Sequence, residues 1–92
     1  MKSETELSQG EIEQKLISLI SRLLALDSSH ISASSRLQGD LPFDSLGIAE
    51  FMMEVEEVFD VDISEQAHAE HFPGRPVTVG SLAELIGLIR KK

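Results

Sequence analysis

A chain of 92 residues has room for one hydrophobic core, so we expect a single domain over residues 1–92. Its 16 acidic and 8 basic residues give a formal net charge of -8, which argues against nucleic acid and anionic membranes as partners and favours partners with basic surfaces. The sequence lacks cysteine, which excludes disulfides, and lacks an apolar run of the ~18 residues that a membrane span needs. We therefore expect a cytoplasmic monomer whose only partners are proteins.

The first predicted helix begins with a capping box. Ser8 and Glu11 have the spacing at which the serine hydroxyl accepts a backbone N–H and the glutamate reaches back to the N-cap backbone. We expect the helix to end near Leu26. Its apolar residues recur at helical spacing: Ile12, Leu16, Leu19, Ile20, Leu23 and Leu24.

Residues 27–43 lack this periodicity and are predicted to form a long loop. Serines and other polar residues dominate it, and Ile31 and Leu37 are its two apolar anchors. Loops of this length without regular structure are uncommon in compact domains and usually serve a function. This loop leads directly to Ser45.

The second predicted helix spans about residues 45–59. Gly39 and Pro42 interrupt the preceding chain, and Asp44 is a suitable N-cap because its carboxylate can accept the first unpaired backbone N–H groups of a helix. Ser45 is therefore predicted to lie in the first helical turn, with its hydroxyl exposed.

At about 100° per residue, the side chains of this helix fall into two groups. One group is apolar and is expected to join the core: Ile48, Phe51, Met52, Val55, Val58 and Phe59. The other group mixes apolar side chains with carboxylates: Leu46, Ala49, Glu50, Met53, Glu56 and Glu57. Exposed apolar residues among charges are typical of a docking face, and the alternative is a solvated acidic helix surface.

Two more helices complete the predicted all-α bundle. A short third helix covers about residues 64–71, with Ala67, Ala69 and Phe72 as its inward candidates. The fourth opens at Thr78, a candidate N-cap. Its apolar stripe consists of Val79, Leu82, Leu85, Ile86 and Ile89. The sequence thus predicts four helices, the third of them short, with one long loop after the first.

Metal-binding patterns are weak in this sequence. His68 and His71 have helical i, i+3 spacing, but no third ligand is indicated, so we interpret them as ordinary polar residues. Residues 60–71 begin like a calcium loop but lack its glycine and its final glutamate, which excludes an EF-hand. Weak divalent-cation binding is left open for a group of acidic residues: Glu54, Glu56, Glu57, Asp60 and Asp62.

The tripeptide Asp44-Ser45-Leu46 and its surroundings resemble the attachment-site region of acyl carrier proteins. The residues that carry the resemblance are Asp40, Leu41, Asp44, Ser45, Leu46, Glu50, residues 56–59, residues 61–63, Thr78 and Val79. The resemblance implies a four-helix acyl-carrier-like bundle in which Ser45 bears a 4′-phosphopantetheine arm donated by coenzyme A, with Asp44 and Leu46 beside it. It also implies acyl cargo held as thioesters, in fatty-acid, polyketide or related lipid synthesis.

The same resemblance assigns two further sets of residues. Partner enzymes would be a phosphopantetheinyl transferase (holo-carrier synthase), acyl-loading enzymes, ketosynthases and acyltransferases, all with basic surfaces. They would meet a partner face made of Asp44, Leu46, Ala49, Glu50, Met53, Glu56 and Glu57. An acyl pocket would be lined by core residues: Leu37, Ile48, Phe51, Met52, Val55, Phe59 and Ile63.

Other functions fit the residues less well. An enzyme with Ser45 as nucleophile would need a Gly-x-Ser-x-Gly elbow and a placed histidine base, and the sequence has neither. A peptidyl carrier more often has His than Asp before the serine, so Asp44 favours acyl cargo. The remaining alternative is an unmodified acidic helical adaptor that binds a basic partner through the second helix.

Several positions depart from the family pattern. Gly47 stands where an acidic residue often follows the Asp-Ser-Leu tripeptide, and Val58 stands where a glutamate is common. Pro42 and Phe43 replace a small turn that contains glycine, and the link at residues 71–77 is longer than usual. These differences suggest a specialised carrier that serves a dedicated pathway.

Overall fold

The computed structural model describes residues 8–90, except for the side chain of Glu65. Four helices follow one another along this part of the chain: α1 (Gln9–Leu24), α2 (Ser45–Phe59), α3 (Glu65–His71) and α4 (Val79–Arg90). A 3₁₀ turn at Ser28–His30 lies in the loop after α1. The fold is an all-α bundle of the predicted kind, with no β-strand in the described region. Within residues 8–90, no helix is both long and apolar enough to cross a membrane.

Helix α1 begins as the sequence predicts. The Glu11 N–H donates to Ser8 Oγ at 3.1 Å, and Glu11 Oε1 accepts the Ser8 N–H at 2.8 Å, which completes the capping box. The helix ends two residues before the predicted Leu26, because Ala25 adopts a left-handed conformation with φ 54 and closes it.

The core lies mainly between α1 and α4, and α2 and the loop cover it. The inward residues of α4 are completely buried, apart from the half-buried Ile89. Both predicted loop anchors, Ile31 and Leu37, are buried as well. The hydrophobic burial that holds the fold together therefore includes the loop.

The predicted burial of one α2 residue, Val58, is wrong. Val58 is 51% exposed, whereas Val55 and Phe59 are buried. Val58 lies at the edge of the apolar stripe in the last turn of the helix, and residues 8–90 leave half of its surface uncovered. The other residues assigned to the core group of α2 are buried.

The inward side of α3 also differs from the prediction. Ala69 is exposed, and His68 takes the inward position with an exposed fraction of 1%. Ala67 and Phe72 are half-buried against the core, as predicted. In so short a helix, the few apolar residues do not define the buried side, and a histidine with a hydrogen-bond partner replaces them there.

Backbone hydrogen bonds tie the loop to the start of α4. The Leu37 N–H donates to the Val77 carbonyl at 3.0 Å, and the Gly80 N–H donates to the Ala33 carbonyl at 2.7 Å. A Cβ atom on Gly80 would lie 3.0 Å from that carbonyl oxygen, so glycine permits the close approach. The loop is thus fixed to the bundle along much of its length before it reaches Ser45.

Candidate functional site

Ser45 is the first residue of α2 and is exposed. Its neighbour Leu46 is 69% exposed, so the apolar side chain after the serine also faces solvent. The next inward residue, Ile48, is buried and anchors the first turn to the core. A helix whose inner side is anchored in the core therefore presents a hydroxyl at its solvent-exposed start.

Asp44 caps α2 in the predicted way. Its backbone is extended, and its Oδ1 accepts the Gly47 N–H at 2.7 Å. Its carbonyl accepts the Ile48 N–H at 2.9 Å, which begins the helical hydrogen bonds. The cap fixes the backbone on both sides of Ser45, because the hydrogen bonds of Asp44 span the serine.

A tight turn delivers the chain to this cap. Arg36 donates to the Asp40 carboxylate through its backbone N–H at 2.9 Å and through its guanidinium at 3.2 Å. These hydrogen bonds from Arg36 hold the pKa of Asp40 below its ordinary value. Gly39 lies in the turn with φ 123, a conformation that favours glycine. Leu41, two residues after Gly39, is buried.

Phe43 packs between this turn and α2. Its ring centroid lies 5.3 Å from that of the buried Phe51. A Cβ atom on Gly47 would lie 3.3 Å from Phe43 Cδ1 and 3.0 Å from Asp44 Oδ1. From the sequence alone, Gly47 is only a position at which an acidic residue is common, and the structure shows that it also makes space for an aromatic ring beside Ser45.

The predicted partner face forms one side of α2. Leu46, Ala49, Glu50, Met53 and Glu57 are exposed, and Met53 is 63% exposed. Apolar side chains alternate there with carboxylates along the helix that starts at Ser45. This side of α2 therefore combines exposed apolar side chains with negatively charged ones.

Two glutamates of α2 have partners within the chain. Glu56 is half-buried, and its Oε2 accepts the Ile63 N–H at 3.2 Å, which ties the segment before α3 to α2. Glu54 lies 3.7 Å from Arg22 of α1 across an exposed ion pair. Glu56 thus has a structural contact that the sequence did not indicate, in addition to its predicted place on the partner face.

The residues predicted to line an acyl pocket all lie in the hydrophobic core. They are Leu37, Ile48, Phe51, Met52, Val55, Phe59 and Ile63. Ile48 and Met52 belong to the first half of α2, so the inner side of the helix that presents Ser45 is continuous with this apolar cluster.

Sequence reasoning missed a buried polar pair between α3 and α4. His68 Nε2 lies 2.7 Å from Ser81 Oγ, and both residues are buried. The same hydroxyl accepts the Thr78 N–H at 2.9 Å, and Thr78 Oγ1 accepts the Ser81 N–H at 3.0 Å. His68 therefore docks on the N-terminal cap of α4. The sequence around His68 gives no sign of this contact, because its partner Ser81 lies in another helix.

The environment of His68 favours its neutral form. Burial lowers the pKa of His68, and the positive charge of Arg75 and the neighbouring His71 lower it further. The positive end of the α4 dipole, on which His68 docks, acts in the same direction.

The two histidines of α3 do not share a site. His71 Nδ1 bonds to the Ala67 carbonyl at 3.0 Å, whereas His68 bonds to Ser81. Among residues 8–90, no three His, Asp or Glu side chains come together in a group that could hold a metal ion.

Comparison with known proteins gives concordant matches. The model of a family described as "Phosphopantetheine attachment site" matches residues 14–73, a segment that contains Ser45. The acyl carrier protein of Prochlorococcus marinus (strain MIT 9515) is 41% identical over 61 residues, which cover 66% of this chain and 76% of that protein. The acyl carrier protein of Amoebophilus asiaticus (strain 5a2) is 38% identical over 77 residues, which cover 84% of this chain and 90% of that protein.

Proposed function

Because the chain belongs to the acyl carrier protein family, we propose that it carries acyl groups as thioesters on a 4′-phosphopantetheine arm attached to Ser45. Proteins of this family are carriers without catalytic activity, and they contain a phosphopantetheine attachment site. The observation that carries the assignment to Ser45 is its position: it is an exposed serine on the first turn of α2, inside the matched segment.

The residues around Ser45 fit the attachment of such an arm. A phosphodiester link needs a hydroxyl that can reach the pyrophosphate of coenzyme A, and Ser45 offers one at the surface. Its oxygen bonds to the phosphorus next to the pantetheine, the pyrophosphate bond breaks, and adenosine 3′,5′-bisphosphate leaves while the hydroxyl loses its proton. A separate transferase supplies the metal ion and base for this step. The arm, once attached, supplies a terminal thiol for the acyl cargo.

Partner enzymes would dock on the exposed side of α2. Leu46, Ala49 and Met53 would form the apolar centre of contact, while Asp44, Glu50 and Glu57 would face arginines and lysines of the partner, with Glu56 at the edge. The expected partners are the phosphopantetheinyl transferase, acyl-loading enzymes, ketosynthases and acyltransferases. Complementary charge raises the rate of encounter more than it raises affinity.

The proposal extends to cargo and setting. The core cluster behind α2 would part to shelter an acyl chain, with Ile48 and Met52 among its lining residues. The pathway would be the synthesis of fatty acids, polyketides or related lipids in the cytoplasm, and this protein would serve it as a monomeric single-domain carrier. The departures at Phe43, Gly47 and Val58 support a carrier dedicated to one pathway.

An unmodified adaptor is the competing hypothesis, because the exposed Leu46 and Met53 among carboxylates would also suit simple protein binding. The two functions differ in whether they need the Ser45 hydroxyl. A carrier loses its function when Ser45 is replaced by alanine, whereas an adaptor keeps it.

Acyl loading tests the carrier function directly. The protein is incubated with an acyl-coenzyme A and a broad-specificity phosphopantetheinyl transferase, and the adduct is then treated with neutral hydroxylamine. We expect wild-type protein to gain an acylated arm and to lose only the acyl group to hydroxylamine, as a thioester does. Ser45→Ala should gain nothing, and Ser18→Ala, which removes an exposed serine on α1, should behave as wild type. A folded wild-type protein that accepts no acyl arm would favour the adaptor.

A further inference from the structure

Phe43 is the side chain that joins the turn before Ser45 to the body of α2. It is half-buried, its ring centroid lies 5.3 Å from that of Phe51, and Phe51 is fully buried in the second turn of the helix. The Phe43 N–H also donates to the Leu41 carbonyl at 2.8 Å, so the residue is held through its backbone and its ring. Only Asp44 separates it from the serine.

Gly47 makes this position of the ring available. A Cβ atom at residue 47 would lie 3.3 Å from Phe43 Cδ1, which is closer than ordinary van der Waals contact. The same Cβ would lie 3.0 Å from the Asp44 oxygen that caps the helix. The absence of a side chain at residue 47 therefore leaves room for both the Phe43 ring and the Asp44 carboxylate beside the backbone that leads into Ser45.

The other contacts that fix this backbone are exposed. The Asp44–Gly47 cap and the Arg36–Asp40 contacts both lie at the surface, where water competes for each hydrogen bond. The nearest buried apolar anchors on either side of Ser45 are Leu41 and Ile48. Between Leu41 and Ile48, the ring of Phe43 supplies the apolar contact that joins the loop to α2.

We propose that Phe43 is a positioning residue for Ser45: by packing against Phe51 and over Gly47, it fixes the direction in which the serine hydroxyl is presented to the transferase. The inference rests on the proposed attachment of the arm at Ser45. A transferase must bring this hydroxyl in line with a pyrophosphate bond, and a displacement of about 1 Å can slow such a reaction by about a hundredfold. A loosened first turn therefore reduces the rate of the chemical step while the docking face stays intact.

The test measures the transfer of phosphopantetheine from coenzyme A as a function of carrier concentration. We expect Phe43→Ala to lower kcat about tenfold and to leave the KM for the carrier within about twofold. Phe43→Leu, which restores an apolar side chain at this place, should recover most of the rate. The matched control is Val61→Ala, which truncates a half-buried apolar residue just beyond the opposite end of α2 and should leave kcat unchanged.

Each other outcome has a definite meaning. An unchanged kcat for folded Phe43→Ala would overturn the inference, and so would an increase in KM alone, because the ring would then contact the transferase instead of positioning the serine. If Phe43→Ala does not fold, Gly47→Ala displaces the ring from the other side, and a wild-type kcat in that variant would also overturn it. Failure of the wild-type protein to accept the arm would instead contradict the proposed function itself.

Discussion

Asp44 contributes both a hydrogen bond and a charge at the start of α2. Its carboxylate accepts the Gly47 N–H at 2.7 Å, and the same group belongs to the proposed partner face. An amide side chain caps a helix about as well as a carboxylate, so substitution can separate the two roles.

We expect Asp44→Ala to lower the free energy of unfolding by about 1 kcal/mol, because it removes the cap. Asp44→Asn should keep the stability of the wild type within about 0.5 kcal/mol and should slow association with the transferase. Urea denaturation and stopped-flow binding measure the two effects. Equal losses of stability in both variants would show that the charge, and not the cap, stabilises α2.

Gly47 and Phe43 should be coupled energetically. A glycine inside a helix is less stable than alanine by about 0.5–1 kcal/mol, so Gly47→Ala would stabilise α2 if nothing else changed. With Phe43 in place, the new Cβ forces the ring to move, since their distance would be 3.3 Å. The Asp44 oxygen at 3.0 Å crowds this Cβ in either background, so we expect Gly47→Ala to be more favourable in a Phe43→Ala background than in the wild type.

A double-mutant cycle by urea denaturation measures this coupling. If Gly47→Ala stabilises both backgrounds equally, Gly47 is only a weak point of the helix and has no role in seating the ring.

At the scale of elements, α3 is attached to α4 through a buried histidine. Phe72 packs on the His68 ring at 5.1 Å, and Arg75 lies 5.3 Å from the centre of the Phe72 ring. The charged groups identified near His68 are Arg75 and His71, and both oppose a positive charge on its ring. Protonation of His68 therefore weakens the contact that holds the short helix in place.

The sign of the pH dependence follows from this environment. The pKa of His68 in the folded protein lies below the ordinary value of 6.5, chiefly because of burial, so the unfolded chain binds a proton more readily. The contribution of His68 to stability is fully present above pH 6.5 and decreases as pH falls through the lowered pKa.

Denaturation between pH 7 and pH 5 should show that the free energy of unfolding of the wild type decreases as pH falls. His68→Gln should reduce the slope of this free energy against pH, because glutamine does not titrate. His30→Gln, which removes an exposed histidine on the 3₁₀ turn, serves as the matched control. A His68→Gln slope equal to that of the wild type would mean that other groups cause the pH dependence.

Helix caps and helical periodicity were enough to predict the elements, because those signals lie within a few residues of each other. Ser8 and Asp44 mark the starts of α1 and α2 as the sequence predicts. The burial of His68 could not be predicted, because its partner Ser81 lies 13 residues away in another helix. The position of Phe43 beside Gly47 could not be predicted for a similar reason, because it depends on how the loop packs against α2. The position of Ser45 in the first turn of α2 could be predicted because the cap residue Asp44 is its neighbour in the chain.

At the scale of the whole molecule, the formal net charge of -8 is distributed so that the partner face carries carboxylates beside apolar side chains. We expect Glu50→Gln with Glu57→Gln to raise the KM of the transferase for the carrier several-fold and to leave kcat nearly unchanged, because the charges guide encounter. The difference in KM between this variant and the wild type should decrease as the salt concentration rises, because salt screens the charges.

Glu84→Gln, which removes an exposed carboxylate on α4, is the control for a general change in charge. If Glu84→Gln raises KM as much as the α2 substitutions do, the net negative charge of the whole molecule attracts the transferase, and α2 is not the docking face.

The most direct test of the attachment site is the intact mass of the protein before and after incubation with coenzyme A and a broad-specificity phosphopantetheinyl transferase, with Ser45→Ala alongside. We expect the wild type to gain the mass of one phosphopantetheine and the variant to gain none. A gain in both proteins would place the arm on another residue. The absence of a gain in folded, initially unmodified wild-type protein would contradict the carrier function.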